Sequence, residues 1–192
     1  MYNVKKVNED LYWIGASDRR LALFENIYPI PRGVSYNSYV ILDEKIAVMD
    51  TIDTRKTDEW KENLERVLDG RTPDYLVVSH LEPDHAGSIK EFADKYPEAK
   101  IVASAKAIAM LPQFFEIADL ADRAVAVKEG EELSLGSHTL QFFMAPMVHW
   151  PEVMVEYEKS EKILFSADGF GKFGALDAAE DCACDARRYY FN

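Results

Sequence analysis

The chain has 192 residues, 48% of them hydrophobic and 29% charged, which suits one domain with a real core and excludes intrinsic disorder. Its 34 acidic residues outnumber the 22 basic ones, for a net charge of -12. A nucleic-acid backbone demands clustered lysine and arginine, so this balance argues against nucleic acid and favours a cation held by carboxylates, or an uncharged substrate.

The opening segment MYNVKKVNEDLYWIG is polar and has neither the apolar core nor the cleavage site of a secretory signal. No apolar run approaches the ~20 residues of a membrane helix, so a cytoplasmic protein with no membrane partner is expected. Residues 38–42 and 45–49 are β-branched runs joined at Asp43-Glu44, the pattern of a hairpin. The segment 57–70 reads as a helix: Trp60, Leu64, Val67 and Leu68 recur on one face, and Gly70 stands where a C-cap belongs. A buried strand is predicted over 74–80, then a polar loop leading into a helix over 88–97. The next strand is 101–104, followed by a helix from Ala105 that Pro112 interrupts or ends.

From Ala124 the pattern turns to β, with successive strands within 124–130, 131–136, 138–146, 152–160 and 161–168 and a polar turn over 158–161. There is no internal repeat or low-complexity linker, and 1–192 reads as one domain. Strand runs with helices in two batches predict a layered α/β arrangement, sheets face to face and helices outside. After a glycine-broken loop, residues 178–192 begin a helical pattern that stops at Tyr-Tyr-Phe-Asn with aromatic side chains still needing burial. The expectation is a fragment, cut within that pattern. Cys182 and Cys184, one residue apart, are too close for an unstrained disulfide and too few for a thiolate zinc site, so they are read as reduced thiols without a role.

The chemistry is concentrated in Ser79-His80-Leu81-Glu82-Pro83-Asp84-His85, between a buried strand and a helix. His80, Glu82, Asp84 and His85 are metal-ligand types held at the C-terminal end of a strand, where a rigid sheet positions binding groups. His80 and Glu82 alternate with Leu81, so both can face one metal. Asp84 lies further along the turn and can reach a second.

Together with His149 in MVHWPE, Asp168 in FSADGFG, the early YNSYVI and MDTID and the late ARRYY, this motif makes nearly the whole chain resemble the metallo-β-lactamase-like domain of flavodiiron proteins. Hydrolases of that fold carry His-x-His-x-Asp-His, and Glu82 at the third position marks the flavodiiron group. The resemblance implies an αββα sandwich, here incomplete at its C-terminal end, with two non-haem irons as cofactors. His80, Glu82 and His149 would hold the first iron, Asp84 the second, and Asp168 would bridge them, with His85 a further candidate ligand. The family's last histidine ligand would fall beyond Asn192. The implied activity is reduction of O2 to water, of NO to N2O, or both, with no catalytic residue beyond the metal ligands. Electrons would come from FMN in a flavodoxin domain or from a rubredoxin-type partner, often within a head-to-tail homodimer. No flavodoxin segment, and so no FMN-binding residue, lies in this chain.

Independent chemistry points the same way. Two histidines and a carboxylate on one face is the set that non-haem ferrous sites use. Glu82, Asp84 and Asp168 offset most of the charge of a diferrous pair, and hard oxygen ligands suit ferric iron. Zinc hydrolysis needs a bound water of lowered pKa, which each anionic ligand makes harder to reach. Two other readings stand beside this one: a flavin-free di-iron oxygen sensor and a zinc hydrolase. His138 matches no ligand position and is expected at the surface, while Trp150 either shields the site or packs in the core.

Overall fold

The structure, a computed structural model, describes residues 3–176. Short early segments pair locally: β1 (Lys5–Lys6), β2 (Leu11–Trp13), β3 (Ala16–Asp18), β4 (Leu23–Phe24), β5 (Tyr28–Pro29), β6 (Val34–Tyr36), β7 (Tyr39–Ile41) and β8 (Ala47–Met49). The predicted hairpin is β7–β8, in register Tyr39↔Met49. Two further pairs, β3–β6 and β4–β5, were not evident from periodicity because each strand has only two or three residues.

The chain then alternates: α1 (Thr57–Leu68), β9 (Tyr75–Val78), α2 (Pro83–Ala86), α3 (Ile89–Lys95), β10 (Lys100–Ser104), α4 (Ala105–Met110), α5 (Leu120–Arg123) and β11 (Ala124–Val127). Strands β8 to β11 run parallel, as helical crossovers require. With β1, β2 and β7 they form a seven-stranded sheet in the order β1-β2-β7-β8-β9-β10-β11. The second sheet is an antiparallel meander of β12 (Glu132–Ser134), β13 (Thr139–Met144), β14 (Met154–Glu158) and β15 (Ile163–Phe165). The β run read from Ala124 is therefore split between two sheets, because periodicity identifies a strand but not its partner. Buried residues of both sheets form one hydrophobic cluster. Cys182, Cys184 and the helical pattern of 178–192 lie outside the described residues.

On α1 the expected face is buried at Trp60, Leu64 and Leu68, with Val67 half-buried. Asn63 shares that face, and its amide donates to the carbonyls of Ile14 and Gly15 at 3.2 and 3.1 Å. The left-handed residue that ends the helix is Asp69 (φ 46°), and Gly70 (φ 86°) follows it rather than making the cap. Pro112 sits where α4 gives way to a 3-10 turn, Leu111–Gln113.

His138 is not a surface residue. It is buried, and Asp43 Oδ2 accepts from its backbone N–H at 2.7 Å and lies 2.8 Å from its Nδ1. Burial of Asp43 opposes ionisation, but the hydrogen bonds from His138 outweigh it and hold the carboxyl down at about 2. The pair fastens the β7–β8 turn to the second sheet.

Candidate metal centre

Strand β9 ends at Val78 and delivers Ser79 and His80 to the C-terminal edge of the parallel sheet. Glu82 is extended (φ -63°, ψ 145°) and Pro83 opens α2, so Asp84 and His85 ride on a one-turn helix and not on the loop read from the sequence. Proline at this position suits a helix start, since its missing N–H would be unpaired there anyway. His149 comes from the β13–β14 connection and Asp168 from the turn after β15, so the second sheet completes what the first begins.

All six candidate ligands converge. Glu82 Oε2 lies 3.1 Å from His80 Nε2 and 2.9 Å from His149 Nε2. Asp168 Oδ2 is 3.4 Å from both of those nitrogens, and its Oδ1 is 2.9 Å from His85 Nε2. Asp84 Oδ2 is 3.6 Å from His85 Nε2. Two ligand sets result, each with its donor atoms within 4.8 Å of one another: His80, Glu82, His149 and Asp168, and Asp84, His85 and Asp168. Asp168 belongs to both. His85 stands with the second set, giving that set a nitrogen donor from this chain.

The donors fit a pair of cations. The far ring nitrogens are tied back, His80 Nδ1 to Glu152 Oε1 at 2.8 Å and His85 Nδ1 to Asp50 Oδ2 at 3.2 Å. Such partners fix the ring and turn the other nitrogen toward a metal. Asp84 Oδ1 is buried with no hydrogen-bond partner, a costly state that a cation would relieve. Mixed histidine and carboxylate donors, three of each, suit iron.

The electrostatics reflect the crowding of charge. The hydrogen bond from His80 holds the Glu82 carboxyl down at about 2, and burial pushes Asp84 up to about 6. Burial opposes protonation of His85, yet hydrogen bonds to Asp168 and Asp50 outweigh it and raise the ring well above its usual range. For Asp168, burial also opposes ionisation, but the His85 hydrogen bond prevails and the net shift is downward. A cation entering the second set must therefore displace protons from His85 and, below about pH 6, from Asp84. Both groups are raised, so affinity falls as the pH drops through their values. Calorimetry of Fe(II) uptake at pH 7 in buffers of different ionisation enthalpy should report release of about one proton or more per chain. A heat independent of the buffer would contradict this.

The floor is buried and the mouth is open. His80 has no exposed surface, whereas the side chains of His149 and Asp168 are 55% and 38% exposed. Trp150 is half-buried and meets His80 edge to face at 5.3 Å, so it packs against the core and walls the site at once. Sequence reasoning missed three carboxylates here. Asp50 and Glu152 orient the histidines, and Asp50 also accepts from the Ser79 amide at 2.7 Å. Glu25, at the β4–β5 turn (φ 50°), shares a hydrogen bond with Glu82 that raises its own carboxyl to about 7. The available signals were slight: Asp50 ends a buried strand in MDTID, and Glu152 follows His149 by three residues.

Residues 34–190 match the ODP family beta lactamase. A nitric oxide reductase of Moorella thermoacetica is 33% identical over 97% of this chain and 48% of its own length. Among solved structures, the flavodiiron protein of Giardia intestinalis superposes with a TM-score of 0.89 at 30% identity, over 96% of this chain and 45% of that one. Rubredoxin oxygen:oxidoreductase from Desulfovibrio gigas gives 0.84 at 33% identity, over 91% and 43%. The chain spans about half or less of the length of the curated relatives it matches.

Proposed function

The chain belongs to the ODP family of β-lactamase-fold proteins, and on that premise we propose that it is a di-iron oxidoreductase module that reduces O2 to water, NO to N2O, or both. The observation that carries the reading is the pair of ligand sets meeting at Asp168, one of them two histidines with carboxylates. The names of the relatives, a nitric oxide reductase and a rubredoxin oxygen:oxidoreductase, support the same chemistry.

In this reading His80, Glu82 and His149 would hold one iron and Asp84 and His85 the other, with Asp168 available to both. When bound, the irons supply the electron chemistry, one electron each. The protein's part is orientation and shielding. Glu152 and Asp50 hold the two buried imidazoles in place, and Trp150 keeps water from His80. The open face at His149 and Asp168 admits a small ligand. Two electrons suffice for two NO and four are needed for O2, so a donor of FMN or rubredoxin type must dock nearby, with a head-to-tail dimer as the arrangement that brings it close. Among the described residues no helix is long and apolar enough to cross a membrane, and the cytoplasm is the proposed location.

The test is metal analysis of the full chain from iron-replete cells, followed by anaerobic reduction and exposure to NO or O2 with N2O and O2 measured. Iron at the site and gas turnover are expected. A site filled only by zinc under iron-replete conditions would sink the reading.

A further inference from the structure

Strand β14 alternates buried and half-buried positions, and its inward face carries Met154, Glu156 and Glu158. Glu156 has no exposed surface, and its register partners on the neighbouring strands, Phe142 and Phe165, are buried and uncharged. A carboxyl at such a core position is costly unless it is fully paired. Glu156 is only half paired. Ser79 Oγ donates to its Oε2 at 2.9 Å, while its Oε1 is buried with no hydrogen-bond partner.

Its place explains more than its packing does. Ser79 immediately precedes His80, and the Ser79 amide donates to Asp50, which in turn holds His85. Glu156 therefore lies behind the candidate metal pair, separated from the ligands by Ser79 and Asp50. The charged groups acting on it are Asp50 and His85. Burial raises the Glu156 carboxyl well above its usual range, Asp50 adds to the rise, and the Ser79 hydroxyl and His85 oppose it. A half-paired carboxyl buried inside a low-dielectric sandwich responds strongly to a change of charge nearby.

We propose that Glu156 takes up a proton when the metal pair gains an electron and returns it when the pair is oxidised. The proposal rests on the di-iron reading above. In the reductive step a one-electron donor converts one ferric ion to ferrous, and one solvent proton binds the Glu156 carboxylate, forming a single O–H bond. The summed charge of the metal pair and Glu156 then stays constant, and no other bond forms or breaks. Reduction of O2 or NO consumes protons, so an acid filled during reduction stores one close to where it is used.

The experiment is redox-difference infrared spectroscopy of the iron-loaded full chain, with potentiometry across pH. Reduction should produce the C=O band of a protonated carboxyl, shifted in D2O and absent in Glu156→Gln. The reduction equilibrium should change by up to tenfold per pH unit, about 59 mV for one electron, and the variant should lose that component. Ser79→Ala, which deprives the carboxylate of its donor, should move the pH midpoint of the coupling upward. A band present equally in both redox states would make Glu156 a fixed structural acid and overturn the proposal. So would an unchanged pH slope in Glu156→Gln, or an unmoved midpoint in Ser79→Ala should the glutamine variant fail to fold. A chain that takes up no iron would remove the di-iron reading and this proposal together, whereas iron uptake without the band removes this proposal alone.

Discussion

Asp168→Ala is expected to reduce the metal content of iron-reconstituted protein from two ions per chain to below one. Asp168 Oδ2 faces His80 and His149 while Oδ1 faces His85, so one side chain serves both ligand sets. Its loss leaves the second set with Asp84 and His85 alone, and the first with three donors and no shared bridge. Loss of a residue that merely orients a ligand costs roughly 10- to 100-fold in affinity, and loss of a shared ligand should exceed the upper figure. His85→Ala, by contrast, touches only the second set and should retain one ion. Equilibrium metal analysis at limiting Fe(II) distinguishes the variants. Two tightly held ions in Asp168→Ala would show that it does not bridge.

Trp60→Ala should have the largest effect on the fold itself, a loss of about 3–5 kcal/mol in urea unfolding. Trp60 is fully buried, packs against Phe92 with ring centroids 6.4 Å apart, and donates from Nε1 to Ser38 Oγ at 3.0 Å. Alanine leaves a cavity and removes one hydrogen bond to Ser38. That serine in turn donates to the Asp50 carbonyl at 2.8 Å, so the residue that orients His85 is braced from the core. Trp60→Phe preserves most of the packing and should cost less, with the lost hydrogen bond contributing about 1 kcal/mol. Equal destabilisation by the two substitutions would mean that packing around Trp60 contributes little.

What could be read from the residues follows a physical divide. The helix at 57–68 and the strands around Val48, Val77 and Val102 were legible because burial imposes a period on neighbouring positions. The cluster His80, Glu82, Asp84 and His85 was legible because its members are adjacent and end a strand. His149 and Asp168 came from resemblance, since single residues so far along the chain give no spacing signal. Asp50 and Glu152 were not seen for the same reason: they meet His85 and His80 across 35 and 72 residues. His138 was misplaced because the carboxylate that makes its burial tolerable, Asp43, lies 95 residues away. The sheet to which β11 belongs is likewise a long-range fact, fixed by parallel pairing with β10.

The division of ligands between the two sheets has a consequence for biosynthesis. His85 and Asp168 are 83 residues apart, so a ribosome releases the first cluster of ligands well before the carboxylate that links both sets. Until β12 to β15 are made and docked, the nascent chain offers only His80, Glu82, Asp84 and His85, without His149 or Asp168. Neither donor set can be completed, then, before the second sheet has been made and docked, so a cation that needs both sets is taken up only after that point.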